Sequence, residues 1–561
     1  MSMELQTRRS LSEPEDLSKF DFLTFAEIKF QNGEACKFAS APLSAPLLSC
    51  DNDDDRMASC AISVAILRFM RDIPEPKVIE EANQNSGESE MKISNMKAYS
   101  SGSTFKRKII SKKVANLSAS MMSYDVPSLS LMNQPTTNLE KIWFITSFGI
   151  RRSSLRDEIY CQICRQLINN LSQTSYSRGW ILLALCIGVF PPSDELLNYI
   201  RSFLKQGPGD FGEYCYKILQ RTLQIDCRRQ PPSAVELEAV KTQSQPIIPV
   251  TFMDGSIKKF EVDPATTCKE LCKLVKKEIG MKSIFGFSIY IAALEQVANW
   301  GCGSESVLDA ASLAEQYART KDRDDPDVWG FYLRKDLFEP VINPNNDRVA
   351  TNLIYHQIIG GILTGEYVCS QEEDLFDIIA KRYYIENGPE MEEDVLRKLI
   401  KESVPQFVLD SKKGDELFNN VIESFYKSPR VNERADGEFV KHDIVIYAAT
   451  SWFNEFSRMF DGFVSSGPKL PKIAINLAIN SSGLLVLPKE DIKAPPVLGL
   501  DFSQINKVES VRKGMYLDPV LAVTTNRSVY SFRSQQADTI TDLLNHLRTL
   551  DSNGTVDSDA P

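Results

Sequence analysis

Histidine is close to absent from this chain. Its 561 residues include three, His356, His442 and His546. That excludes an H-E-x-x-H motif and any histidine-rich metal centre. There is no G-x-x-x-x-G-K-[ST] loop, so no phosphate cradle of that kind is present. Long apolar runs are missing too. The longest, Trp180–Phe190, falls short of the roughly 20 residues a membrane-spanning helix needs. The N-terminus, MSMELQTRRSLSEPEDL, lacks an apolar core and does not read as a secretory signal. Twelve cysteines are too few for a disulfide scaffold at this length. Cys164, Cys186, Cys268 and Cys272 fall on apolar helix faces and read as reduced core thiols of a cytosolic protein. Basic charge is short in the second half. Residues 1–245 carry 29 Lys+Arg and 28 Asp+Glu, whereas residues 246–561 carry 35 and 47, a net of −12. So acidic a half argues against nucleic acid as a partner, because that binding works by neutralising phosphates.

What is present is a chain of ordinary globular composition, 43% apolar. It is long enough for several domains at roughly 100–200 residues each. Residues 1–16 are polar and predicted to be disordered. Helical patterning fills residues 17–230, with a break at 82–137. That break holds 12 serines in 56 residues and three aromatics. It cannot bury enough surface to fold alone and reads as a disordered insertion.

The richest stretch is 147–204. Ser154 is placed to cap a helix, with Asp157 three residues on completing an S-x-x-D box. The apolar stripe of that helix is Leu155, Ile159, Ile163 and Leu167, leaving Glu158, Gln162 and Arg165 to face out. Arg178–Phe190 is apolar nearly all round and predicts a buried helix stopped by Pro191-Pro192. Ser193 caps a third, which buries Leu196, Leu197, Ile200, Phe203 and Leu204 and ends at Gly207. The wording LRDEIYCQICRQL (155–167), RGWILLALCIGVFPPS (178–193) and LLNYIRSFL (196–204) resembles the myosin tail homology 4 domain. PLSAPLLSCDNDDDRMASCAISVAILRFMRDIPEPK (42–77) resembles the opening of such a domain, of the class VII type.

The pattern changes after a junction at 231–245, where Pro231, Pro232, Val235, Leu237 and Val240 suit packing between domains better than a free linker. Ile247–Phe252 and Ser256–Val262 alternate like strands about Met253-Asp-Gly255, a hairpin signal. Thr267–Ile279 follows as a helix with Cys268, Leu271, Cys272, Val275 and Ile279 on one face. Phe287–Ala293 and Trp329–Phe338 read as further strands, with a short helix near Leu308–Arg319. Residues 246–340 thus predict a ubiquitin-like α+β roll, 341–462 a helical lobe whose last helix runs through Lys441–Phe460, and 463–551 a pleckstrin-homology-like β-sandwich closed by a C-terminal helix. Residues 552–561 read as a disordered end. Three lobes in that order resemble a FERM domain. VTFMDGSIKKFEVDPATTCKELC, RVATNLIYHQIIGGILTGEY and SSGPKLPK (465–472) are most similar to the first tail tandem of class VII myosins. The resemblance covers about residues 16–551, without the motor domain, neck, Src homology 3 domain or second tandem of those proteins.

Apparent catalytic motifs dissolve on inspection. Gly207-Pro-Gly-Asp-Phe-Gly212 matches G-x-G-x-x-G, but a helix precedes it where the dinucleotide motif needs a strand, so it reads as an interhelical loop. Cys161-Gln-Ile-Cys164 lies inside a helix, with no second pair to complete a zinc site. Glu372-Glu373 and Glu392-Glu393-Asp394 fit acidic helix starts. The His-Cys dipeptide that opens the phosphatase loop of some FERM proteins is absent. No catalytic residue, metal site or cofactor is expected.

Three surfaces are candidates for binding. Lys269, Lys273, Lys276 and Lys277 form a cationic helix face opposite the apolar stripe. It suits an anionic peptide or phosphoinositide headgroup near the cleft between first and third lobes, where related FERM domains bind such ligands. The strand Val520-Leu521-Ala522-Val523 and the terminal helix with Ile540 and Leu544 form a groove whose edge could take an added peptide strand. Lys106, Arg107, Lys108, Lys112 and Lys113 form a basic run inside the insertion, beside Ser103 and Ser111, and suit a phosphorylation-regulated contact with an acidic partner. The resemblance implies a non-catalytic module that binds adaptor or cargo proteins and links an actin-based motor to membrane-associated complexes. It implies a cytoplasmic, cytoskeleton-associated location at membrane-proximal, actin-rich structures. Actin would be reached only through a motor; anionic lipid and microtubules are further candidate partners. The alternative is a stand-alone membrane–cytoskeleton linker that reads phosphoinositides directly.

Overall fold

The computed structural model describes residues 16–31, 33–76, 135–321, 329–340, 343, 347–411, 414–489, 495–511 and 519–553. The basic run and nearly all of the serine-rich break lie outside them. Its end does not: Thr137 caps the helix at Asn138 in a reciprocal box with Glu140.

The first half is a bundle of α1 (Phe22–Lys29), α2 (Asp53–Met70), α3 (Asn138–Arg151), α4 (Arg156–Leu167), α5 (Gln173–Ile187), α6 (Asp194–Lys205), α7 (Gly209–Ile225) and α8 (Ala234–Lys241). One apolar core runs from Phe22 to Val240. Helix α5 is its centre, and Ser193 caps α6 as expected by accepting from the Leu196 N–H.

Helix α4 departs from the sequence reading. Ser153–Leu155 forms a 3-10 turn, and α4 has no side-chain cap. Ser154 instead donates to Asp55 of α2 (2.8 Å), and Asp157 accepts from the Ser193 N–H (2.8 Å). Tertiary partners outcompeted the local box. Glu158, Gln162 and Arg165 do not face out either; all three are buried. Glu158 accepts from the N–H groups of Leu47 (2.9 Å) and Leu48 (2.8 Å), the Ser59 hydroxyl and the Gln162 amide. The loop before α2 covers this polar stripe and uses it to satisfy its own backbone.

The junction is not a linker. Ser233 and Glu236 form a capping box that starts α8, whose Leu237 and Val240 complete the bundle core.

The first FERM lobe contains β1 (Ile247–Thr251), β2 (Ile257–Glu261), α9 (Cys268–Ile279), β3 (Phe287–Ala293), β4 (Gln296–Gly301), α10 (Val307–Arg319) and β5 (Trp329–Lys335). The sheet order is β2-β1-β5-β3-β4, with β1 and β5 parallel at the centre. Helix α9 starts on a Thr267–Glu270 capping box and buries Cys268, Leu271, Cys272 and Val275, as the periodicity predicts. Strand β4 is an addition that the sequence pattern does not announce.

The helical lobe contains α11 (Arg348–Thr364), α12 (Glu372–Asn387), α13 (Glu393–Lys401), α14 (Gln406–Ser411), α15 (Gly414–Lys427), α16 (Pro429–Asn432) and α17 (Gly437–Ser451). Helix α17 stops well before Phe460. Trp452 turns into the core and donates to the Val368 carbonyl (3.0 Å), and the chain goes on as a strand from Arg458. The third lobe therefore starts inside the predicted last helix. It consists of β6 (Arg458–Ser466), β7 (Ala474–Asn480), β8 (Gly483–Pro488), β9 (Leu498–Asp501), β10 (Ile505–Val511), β11 (Val520–Thr525), β12 (Val529–Arg533) and α18 (Ala537–Asn553), in sheet order β10-β11-β12-β6-β7-β8-β9.

Candidate partner-binding surfaces

Two buried charge clusters fix the relative placement of everything a partner would touch. At the bundle–FERM joint, the wholly buried Arg228 guanidinium lies between Glu236 of α8 and Asp309 of α10 (2.9 Å). Asp309 also accepts from the N–H groups of Arg229 (3.0 Å) and Gln230 (3.3 Å). Glu315, nearly two turns further along α10, accepts from the Ala234 N–H (2.7 Å). Burial pushes its carboxyl up to about 7. Arg221 of α7 reaches Asp263 (2.8 Å) and Glu270 (2.9 Å) at the start of α9. Paired on several sides, these charges are satisfied where a single unpaired one would be untenable.

Between first and third lobes, Arg458 of β6 makes two bonds to Asp336 (3.1 and 2.7 Å), which also accepts from Ser288 and Asn299. Gly286 lets the segment around Asp336 pack close against the turn before β3. Its φ is +68°, and a Cβ there would lie 1.9 Å from the Leu337 carbonyl oxygen.

The cationic face on α9 is split rather than convergent. Lys269, Lys273 and Lys277 are exposed, whereas Lys276 is half-buried. The start of α9 lies toward the third lobe, since the Lys269 N–H donates to Gly303 and Glu305 of the same loop accepts from Gln536 (3.4 Å). Lys273 instead turns toward the bundle, into a hollow it shares with Arg221, Glu261 and Asp263.

The third-lobe groove needs correction. Strand β11 is not an edge; it pairs with β10 on one side and β12 on the other. Its backbone groups are used, so Val520, Leu521, Ala522 and Val523 have no edge to offer. Leu521, Val523, Ile540 and Leu544 are core side chains of the lobe. The open strand beside α18 is β10.

The cysteines singled out in the sequence behave as core. Cys161, Cys164 and Cys268 are buried, and burial drives each thiol well above its ordinary pKa, the reverse of an activated thiolate. Gly207–Gly212 joins two helices, α7 beginning at Gly209. Among the described residues no group of three or more His, Cys, Asp or Glu side chains is placed to hold a metal, and no helix is long and apolar enough to cross a membrane.

Comparison with known proteins agrees with this architecture piece by piece. Residues 142–239 match the MyTH4 domain family, 244–337 the RA like domain family, and 456–550 the Myosin-X FERM PH domain-like family. Myosin-VIIa of Drosophila melanogaster is 36% identical over 95% of this chain. This chain is homologous to the MyTH4–FERM tails of class VII myosins. It spans 26% of the fly protein's length. The MyTH4-FERM MF1 domain of Dictyostelium discoideum myosin VII superposes with a TM-score of 0.64 at 19% identity, over 96% of this chain and all of that one. The C-terminal MyTH4-FERM domain of human myosin 7b, solved in complex with the harmonin-a PDZ3 domain, gives 0.59 at 21% identity, over 96% and 98%. Both share the whole tandem architecture. MyTH4–FERM tails are protein-interaction modules, and the joint around Arg228 is where the two parts of this one meet.

Proposed function

We propose that this chain is the cargo- and adaptor-binding tail module of a class VII-like unconventional myosin, linking an actin-based motor to membrane-associated protein complexes. The similarity to Myosin-VIIa across 95% of the chain carries the reading. The human myosin 7b tandem of the same fold holds a PDZ domain, which supports adaptor proteins as the partner class. The bundle and FERM lobes offer one continuous surface, because the Arg228 cluster leaves them no hinge. The module works in the cytoplasm, at membrane-proximal actin-rich structures.

Appending the chain to an actin-based motor and neck tests this in cells. The motor with the chain gathers at membrane-proximal actin structures, while motor and neck alone spread along the filaments. Identical distributions of the two would sink the reading.

A further inference from the structure

The two FERM sheets both end in open strands, and the two ends differ. In the third lobe, β10 turns the carbonyls of Asn506 and Val508 away from its neighbour. They accept from Arg548 (2.9 Å) and Asn545 (3.5 Å) of α18. In the first lobe the edges are β2 and β4, and the outward groups of β2 have no such cover.

The register says which groups these are. Pro249 of β1 lies opposite Lys259, and proline has no N–H to give. That pair is therefore a non-hydrogen-bonded one, and the bonded pairs are Ile248 with Phe260 and Val250 with Lys258. The flanking bonds keep the same phase: Val262 N–H to the Pro246 carbonyl at 3.0 Å, and Phe252 N–H to the Ser256 carbonyl at 2.8 Å. Ile257, Lys259 and Glu261 thus turn both N–H and C=O to the open side. Among the described residues nothing bonds to them there.

Helix α9 forms the wall beside this edge. Glu278 pairs with Lys258 of β2 (3.4 Å), and Glu270 with Arg221. Both acids on that stripe are neutralised, and Leu274, 41% exposed, is the apolar rung between them. Lys273 and Lys277 flank it, exposed. On the strand's other face Ile257 is 45% exposed and Lys259 exposed beside it. A hollow of about 340 Å³ opens at the end of the strand, between Glu261, Leu274 and Arg221.

We infer that β2 takes an extended acidic–apolar segment of a partner protein as a sixth strand of the first-lobe sheet. The free groups of Ile257, Lys259 and Glu261 supply the backbone pairing. The guest's alternate apolar side chains, all on one face, fall over Leu274 on the helix side. Its acids, on the opposite face, meet Lys259, while Lys273 and Lys277 add positive charge along the helix wall, so a basic segment of the same shape is rejected. The inference rests on the reading of the chain as a partner-binding module and names one of its surfaces.

The test uses the whole chain and a short labelled peptide of alternating valine and glutamate, with the valine–lysine peptide as control. At low salt, where exposed charges act furthest, the acidic peptide binds at least about tenfold tighter in an anisotropy titration. Amide hydrogen exchange slows at Ile257, Lys259 and Glu261. Lys259→Glu with Lys273→Glu abolishes that preference and leaves the melting temperature unchanged, since both side chains are exposed. Equal affinity for the two peptides, or protection on β10 in place of β2, overturns the proposal. So does protection by anionic phosphatidylserine vesicles without protection by the peptide, which assigns the surface to membrane. The motor-appended experiment does not depend on β2, so the two readings fail separately.

Discussion

Glu158 and Glu315 are both carboxylates on helices, the first buried and the second half-buried, and they serve different ends. Glu158 is saturated by four donors, two of them backbone N–H groups of the covering loop. Its burial was not legible in the sequence, because helical spacing places it, with Gln162 and Arg165, opposite the apolar stripe. The loop at Leu47 and Leu48 that covers it arrives from 110 residues away. Ser154 and Asp157 misled for the same reason, each drawn to a distant partner. Ser193, whose capping partner Leu196 is local, was legible as a cap. Glu315 is less well supplied. Burial raises its carboxyl from the ordinary 4.5 to about 7, against the pull of the Ala234 N–H. Between those values the folded chain keeps a proton that the unfolded chain has lost. Stability therefore falls as pH rises across that window and levels off above it. The ceiling on the effect is roughly 3 kcal/mol. Glu315→Gln keeps an acceptor for Ala234 and removes the titration. Urea midpoints of the variant should be flatter than those of the unaltered chain from about pH 4.5 to 7; parallel curves would argue against a titrating joint.

At the scale of elements, period and turn chemistry were readable and neighbour relations were not. The β1–β2 hairpin and the stripe of α9 follow from alternation and spacing. Strand order does not, since side-chain pattern is the same for a central strand as for an edge with one buried face. Hence β11 looked like an edge, while β10 is one. The Arg548 and Asn545 side chains guard it, as edge strands commonly are guarded. Replacing both with alanine should cost about 1–2 kcal/mol in lost hydrogen bonds. It also leaves two carbonyls free for another chain. Sedimentation velocity should then report a higher average mass than the unaltered chain at equal concentration. No change in mass would place the guard elsewhere.

Over the whole molecule, the three FERM lobes and the bundle were legible as patterns, and their fusion only as a hint in the apolar junction residues. The structure makes α8 part of the bundle and hangs the FERM half on Asp309. Asp309→Ala would leave Arg228 half-paired and strip the Arg229 and Gln230 N–H groups of their acceptor. The expected loss is about 3–5 kcal/mol, concentrated at the joint. Each half keeps its own core, so both should stay folded. Calorimetry should resolve two transitions in the variant where the unaltered chain shows coupled unfolding, and small-angle scattering should show a broader distribution of shapes. A single unshifted transition would mean that apolar contact, not the charge cluster, holds the halves together.

That cluster also decides how the chain answers a pull. Under the proposed function, with a motor on one side and cargo on the other, tension between the halves falls on the Arg228–Asp309 pair and the two N–H groups beside it. Hydrogen bonds weaken steeply with stretching and bending. Those sharing one carboxylate share the load, so none slips ahead of the rest. Such a connection barely extends until it breaks, and transmits displacement like a rod where a glycine-rich linker would absorb it like a spring.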